Sequence, residues 1–180
     1  FAAGFKPSHC GCAMKKISFT LLLLGFSLTI FSSELMAPKF QNPLNPGPDP
    51  YCEFFEGNYY LTTTQGDAIR MWKSPTLGGL KTAKPFTLWT DGDPSRSKSM
   101  WAPEFHFITN HWYLYYTATS ADGKDANHRL FVLESEGRDP LGPYHYKSRL
   151  FNPANDQYAI DATVFMNPGD GGWYCIWAAH

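Results

Sequence analysis

The sequence predicts an all-β chain, and three observations carry that reading. An aromatic hairpin motif occurs three times, its copies about 55 residues apart. The intervals hold further short strands rich in aromatic and β-branched residues, each bounded by Gly, Pro, Asn or Asp. No stretch beyond an apolar N-terminal run shows sustained helical periodicity. The first copy reads Phe54-Phe55-Glu56-Gly57-Asn58-Tyr59-Tyr60-Leu61. The second reads Phe107-Ile108-Thr109-Asn110-His111-Trp112-Tyr113-Leu114. The third is Phe165-Met166, a longer turn Asn167-Pro168-Gly169-Asp170-Gly171-Gly172, then Trp173-Tyr174-Cys175-Ile176. A hairpin recurring at this period predicts a β-propeller with one sheet per blade. A β-sandwich with aromatic hairpins is the alternative reading of the same pattern.

The chain opens with residues 1–13, read as upstream sequence translated in frame, because Met14-Lys15-Lys16 and the apolar run 17–31 have the form of a secretory signal. The run is shorter than the ~20 residues a membrane span needs. Cleavage is expected between Ser32 and Ala37, so residues 14–37 are assigned to the signal, which predicts a secreted or periplasmic protein. No Cys follows closely enough for a lipid anchor. Residues 38–48 form a Pro- and Asn-rich lead-in, a linker or an extended arm, and the propeller proper is placed at 49–180.

Residues 49–64 make the first hairpin. Ala68-Ile69-Arg70-Met71-Trp72 is a third strand, and 85–90 an outer strand around Phe86, Leu88 and Trp89. After the polar loop Asp91-Gly92-Asp93-Pro94-Ser95 comes the central hairpin, then a second polar loop at 122–127. Arg129-Leu130-Phe131-Val132-Leu133-Glu134 and 144–151 complete a second blade. The two acidic loops lack the full spacing of an EF-hand, so no metal site is assigned. Cys52 and Cys175 lie in the first and third repeats, which are not neighbours in a propeller, and whether they pair is left open. The mature stretch holds about two and a half blades. A propeller closes with at least about four, so the chain is expected to be part of a longer protein.

Net charge is −1, which points to neither nucleic acid nor an anionic membrane as partner. Aromatic residues make up 17% of the chain, enough for a packed β core and for stacking surfaces that bind sugars. In a propeller the innermost strands line a central channel, and their starting residues converge on one face of it. Asp49-Pro50 stands before the first hairpin, Trp101-Ala102-Pro103-Glu104 before the second, and Ile160-Asp161-Ala162-Thr163-Val164-Phe165 opens the third. Two carboxylates and a Trp are thereby predicted to share one pocket. Asp161 is one residue nearer its Phe than Asp49 is, a shift expected to aim the two side chains differently.

These motifs, with Tyr59-Tyr60-Leu61-Thr62, Trp112-Tyr113-Leu114-Tyr115-Tyr116 and Asp139-Pro140-Leu141-Gly142-Pro143-Tyr144, resemble glycoside hydrolase family 43. That family comprises inverting five-bladed propeller enzymes acting on arabinan and xylan side chains. The resemblance covers residues 42–180. It implies Asp49 as the general base that activates water. It implies Asp161 as the carboxylate that raises the general acid's pKa and helps orient the sugar, and Trp101 as an aromatic wall of the pocket. Glu104 reads as structural, or as a support behind the residues that touch the sugar. The acid itself would be a Glu opening a fourth blade, matched by no residue here. A channel cation such as calcium would lean on a fifth-blade His, so no cofactor is assigned to this chain. The implied activity is α-L-arabinofuranosidase-like, or xylosidase-like, on arabinan or arabinoxylan, with no nucleic-acid or membrane partner after signal cleavage. A propeller that binds sugar without turning it over is the alternative.

Overall fold

The structure, a computed structural model, describes residues 41–179. The readings of 1–13 and 14–37, and residues 38–40 of the lead-in, lie outside them. The described residues form ten strands. Tyr51–Phe55 (β1), Asn58–Thr62 (β2), Ile69–Ser74 (β3) and Pro85–Trp89 (β4) form one antiparallel sheet in the order β1-β2-β3-β4. Lys98–Ile108 (β5), His111–Thr119 (β6), Arg129–Ser135 (β7) and Tyr144–Leu150 (β8) form a second in the same order. Ala159–Met166 (β9) and Trp173–Ala179 (β10) pair as a third, two-stranded sheet. These are two complete blades and the opening hairpin of another, the two and a half blades of a β-propeller that the repeat predicted. Two short 3₁₀ turns, Gly78–Lys81 and Asp125–Asn127, are the additions to the all-β reading among the described residues. No helix there is long and apolar enough to cross a membrane.

The hairpins form where local chemistry allows a two-residue reversal. Glu56 and Gly57 have φ of 43° and 81°, and Thr109 and Asn110 have 46° and 76°. Both pairs supply the left-handed conformations of a type I′ turn, whose twist matches that of the flanking strands. Phe54 then faces Tyr59, and Phe107 faces Trp112.

Period-two alternation sorts the side chains between blades. Trp112, Leu114, Tyr116 and Ala118 of β6 pack with Tyr60, Ile69 and Met71 of the first blade in one buried cluster. Tyr115, on the opposite face of β6, packs with Leu130, Ala159 and Ala162 toward the third hairpin. A fully buried side chain of this size contributes about 2–3 kcal/mol, so the seams between blades are the main cores. Leu61, Trp72 and Leu80 form a third cluster, covered by Leu44 of the lead-in. Residues 41–48 of the lead-in are therefore laid against the first blade as an arm.

Candidate active site

The strand openings share one backbone device. On β5 and β6, Trp101 pairs with Thr117 and Glu104 with Tyr115, so β5 carries one residue more than its partner. On β9 and β10, Ile160 pairs with Ala178 and Thr163 with Ile176, the same surplus. Ahead of β1, Thr64 N–H donates to Pro48 O at 3.0 Å while Tyr51 pairs with Thr62. Each is a β-bulge. Its extra residue is left-handed: Asp49 (φ 53°), Ala102 (φ 44°) and Asp161 (φ 53°). Such a conformation costs a non-glycine residue on the order of 1–3 kcal/mol and gathers at functional sites. Pro50 and Pro103 follow two of these residues, where the bulge interrupts the ladder and a missing N–H is tolerated.

The expected misdirection of Asp161 is not found. Asp49 and Asp161 occupy the same place in their bulges with the same φ. No residue is missing from the third copy: counted from the bulge, Met166 pairs with Trp173 as Phe107 pairs with Trp112, and Phe165 pairs with Tyr174 as His106 pairs with Tyr113, so the aromatic has moved and the Asp has not.

Asp49, Pro50, Tyr51, Ala102, Glu104 and Asp161 line one cleft of about 180 Å³. Three carboxylates from three sheets thus meet. Asp161 is held above its ordinary value of 3.8, first by partial burial, then by the negative charges of Asp49 and Glu104. Asp49 Oδ2 accepts a hydrogen bond from Thr64 Oγ1 at 2.7 Å. Glu104 Oε2 lies 3.2 Å from His106 Nε2, and His106 Nδ1 lies 3.2 Å from the Tyr51 hydroxyl. Tyr51 donates onward to Glu53 Oε1 at 2.7 Å. Burial, then the Glu53 hydrogen bond and charge, push the Tyr51 phenol up, so it remains a donor.

The structure brings Asp49 and Asp161 together, while Trp101, next in sequence to the lining residue Ala102, lies off the cleft lining. Trp101 is half-buried and stacks on the fully buried His128, with ring centroids 3.9 Å apart and planes at 35°. Glu104, read from sequence as structural or as a support behind the sugar-contacting residues, lines the cleft. So does Tyr51. Both stand two residues after a bulge residue, a repeat position that aligning the copies at the bulge would have exposed. Thr64 gave no sequence signal, since its partners are 15 and 38 residues away. Cys52 and Cys175 are free thiols. In the first acidic loop Arg96 engages both Asp91 and Asp93, each at 2.6 Å. Among the described residues no cluster of His, Cys, Asp and Glu is arranged to hold a metal ion.

Carboxylates held on separate sheets across one cleft are the equipment of acid–base cleavage at a glycosidic bond. The chain belongs to the glycosyl hydrolases family 43, whose sequence model matches residues 40–180. It is 37% identical over 158 residues to an extracellular exo-α-(1→5)-L-arabinofuranosidase of Streptomyces avermitilis, covering 84% of this chain and 32% of that protein. It is 35% identical to the enzyme of the same description from Streptomyces chartreusis, covering 78% of this chain and 44% of that protein. The crystal structure of an α-L-arabinofuranosidase from Lactobacillus brevis superposes with a TM-score of 0.68 at 31% identity, over 77% of this chain and 46% of that one. The chain thus spans under half the length of these relatives.

Proposed function

We propose that the full-length protein is a secreted glycosidase that removes terminal α-L-arabinofuranosyl residues from plant cell-wall polysaccharides with inversion. The observation that carries this is the shared cleft of Asp49 and Asp161, set by matched bulges on the first and third hairpins. Asp49 takes a proton from water as the water oxygen attacks the anomeric carbon. A carboxylic acid on the opposite side gives its proton to the departing glycosidic oxygen. An inverting pair stands about 6.5–9.5 Å apart, a gap that residues on different blades are suited to keep. The resemblance assigns the acid to a fourth-blade Glu, and no residue of 41–179 takes that role. Asp161 would hold that acid protonated by like-charge repulsion and orient the sugar. The extracellular arabinofuranosidases among the relatives support both the substrate and the secretion.

Asp49→Ala in the full-length protein is expected to lower turnover of an arabinofuranoside about 10²-fold or more, with the thermal midpoint little changed. Wild-type turnover by that variant would remove Asp49 as the base. Parallel assays with a xyloside decide between arabinofuranosidase and xylosidase, and sugar binding without turnover by the wild type would favour a binding propeller.

A further inference from the structure

We propose that Thr64 is the positioning residue of the Asp49 carboxylate, and that Asp49 Oδ1 is the oxygen that receives the proton from water. The proposal rests on the assignment of Asp49 as the base. Thr64 follows the end of β2 and is half-buried. Its Oγ1 donates to Asp49 Oδ2 at 2.7 Å and accepts from Ala102 N–H at 2.7 Å. Neither direction is open to reversal. An ionised carboxylate has no proton to give, and a backbone N–H has no lone pair to offer. The hydroxyl is therefore fixed at both ends, and it joins the bulge residue of the first blade to that of the second.

The surroundings hold Thr64 itself in place. Its N–H donates to Pro48 O at 3.0 Å, fixing the residue before Asp49. Two residues further, Gly66 and Met100 exchange both backbone hydrogen bonds, at 3.0 and 3.2 Å. Two residues earlier, Thr62 Oγ1 donates to Pro103 O at 2.5 Å. The segment leaving β2 is thus stitched to β5 at alternate residues, and Thr64 is the stitch that also carries a carboxylate. Asp49 is exposed, so without this bond its side chain would sample several rotamers in water. With Oδ2 engaged, Oδ1 is presented to the cleft.

The test uses the full-length enzyme and four variants: Thr64→Ala, Thr64→Ser, Asp49→Asn, and Thr64→Ala with Asp49→Asn. Misplacing a reacting group by about 1 Å costs on the order of 10²-fold. Thr64→Ala is accordingly expected to lose roughly 10- to 100-fold in kcat with KM nearly constant. Thr64→Ser, which keeps the hydroxyl, is expected to stay within about threefold of wild type. In the Asp49→Asn background, Thr64→Ala is expected to add no further loss, because residues acting as one unit are non-additive. Unchanged kcat in Thr64→Ala, equal damage from Ser and Ala, or additive losses would each overturn the proposal. If Thr64→Ala fails to fold, Thr64→Ser decides: wild-type turnover supports the positioning role and a large loss overturns it. Full activity in Asp49→Asn would instead overturn the assignment of the base, an outcome distinct from failure of Thr64 alone.

Discussion

A bulge residue in a left-handed conformation turns its side chain out of the strand's regular alternation. Asp49 and Asp161 use that turn to enter the cleft, and Ala102, at the same point of the second blade, leaves room between them. The charge crowding this produces has a measurable cost. Asp161 is raised above 3.8 in the folded protein by partial burial and by the charges of Asp49 and Glu104. The folded state therefore binds more protons than the unfolded state in the window above 3.8. Stability falls as pH rises through that window. Asp161→Asn removes the titration. It is expected to raise the thermal midpoint relative to wild type near pH 7, with the gain shrinking as pH falls toward 3.8 and gone below it, while turnover drops. A midpoint difference independent of pH, followed by calorimetry across that range, would contradict the account.

At the scale of elements, the strands were legible because aromatic and β-branched runs alternate at period two and the turns carry Gly, Asn and Asp. Phe54, Phe107 and Phe165 located the three hairpins, and Asp49 and Asp161 followed from their places ahead of them. Glu104, Tyr51 and Thr64 were not legible in the same way. Their proximity depends on a bulge, and a bulge is a mismatch between two strands that one strand's sequence does not display. The arm was equally ambiguous, since Pro and Asn composition fits a loose linker and a docked one alike. Docking is visible at Gly47, where a Cβ would fall inside contact distance of Thr63 Oγ1 and 2.6 Å from Thr63 Cβ. Thr63 is fully buried and its hydroxyl accepts from Gln65 at 2.8 Å, so it has little freedom to yield. Gly47→Ala is expected to destabilise by about 1–3 kcal/mol. Because Asp49 lies two residues on, the same change should lower kcat in the full-length enzyme. A variant with wild-type denaturant midpoint and wild-type turnover would show that the arm is not held at this contact.

At the scale of the whole molecule, each inner hairpin depends on strands that cover it. β2 is covered by β3, and β6 by β7. Among the described residues β10 has β9 on one side and no strand on the other. Its sequence, Trp173-Tyr174-Cys175-Ile176-Trp177-Ala178-Ala179, holds no charge and no proline, the composition that favours strand-to-strand association. Trp173, Tyr174 and Ile176 are 48%, 45% and 56% exposed, and Phe165 and Met166 of β9 are 44% and 53% exposed beside them. An edge of this kind pairs with another chain unless a charge, a proline or a further strand blocks it. A polypeptide confined to residues 41–179 is therefore expected to self-associate through β10 and to be inactive as a glycosidase, since the resemblance to family 43 puts the general acid at the opening of a fourth blade, which these residues do not form. Ile176→Lys places a charge on that strand and is expected to shift the species in size-exclusion chromatography toward the monomer. The mutation should leave the far-ultraviolet spectrum of the first two blades intact, because their cores lie at other seams. A monomeric, cooperatively unfolding polypeptide of these residues would show that two and a half blades bury enough surface to stand alone.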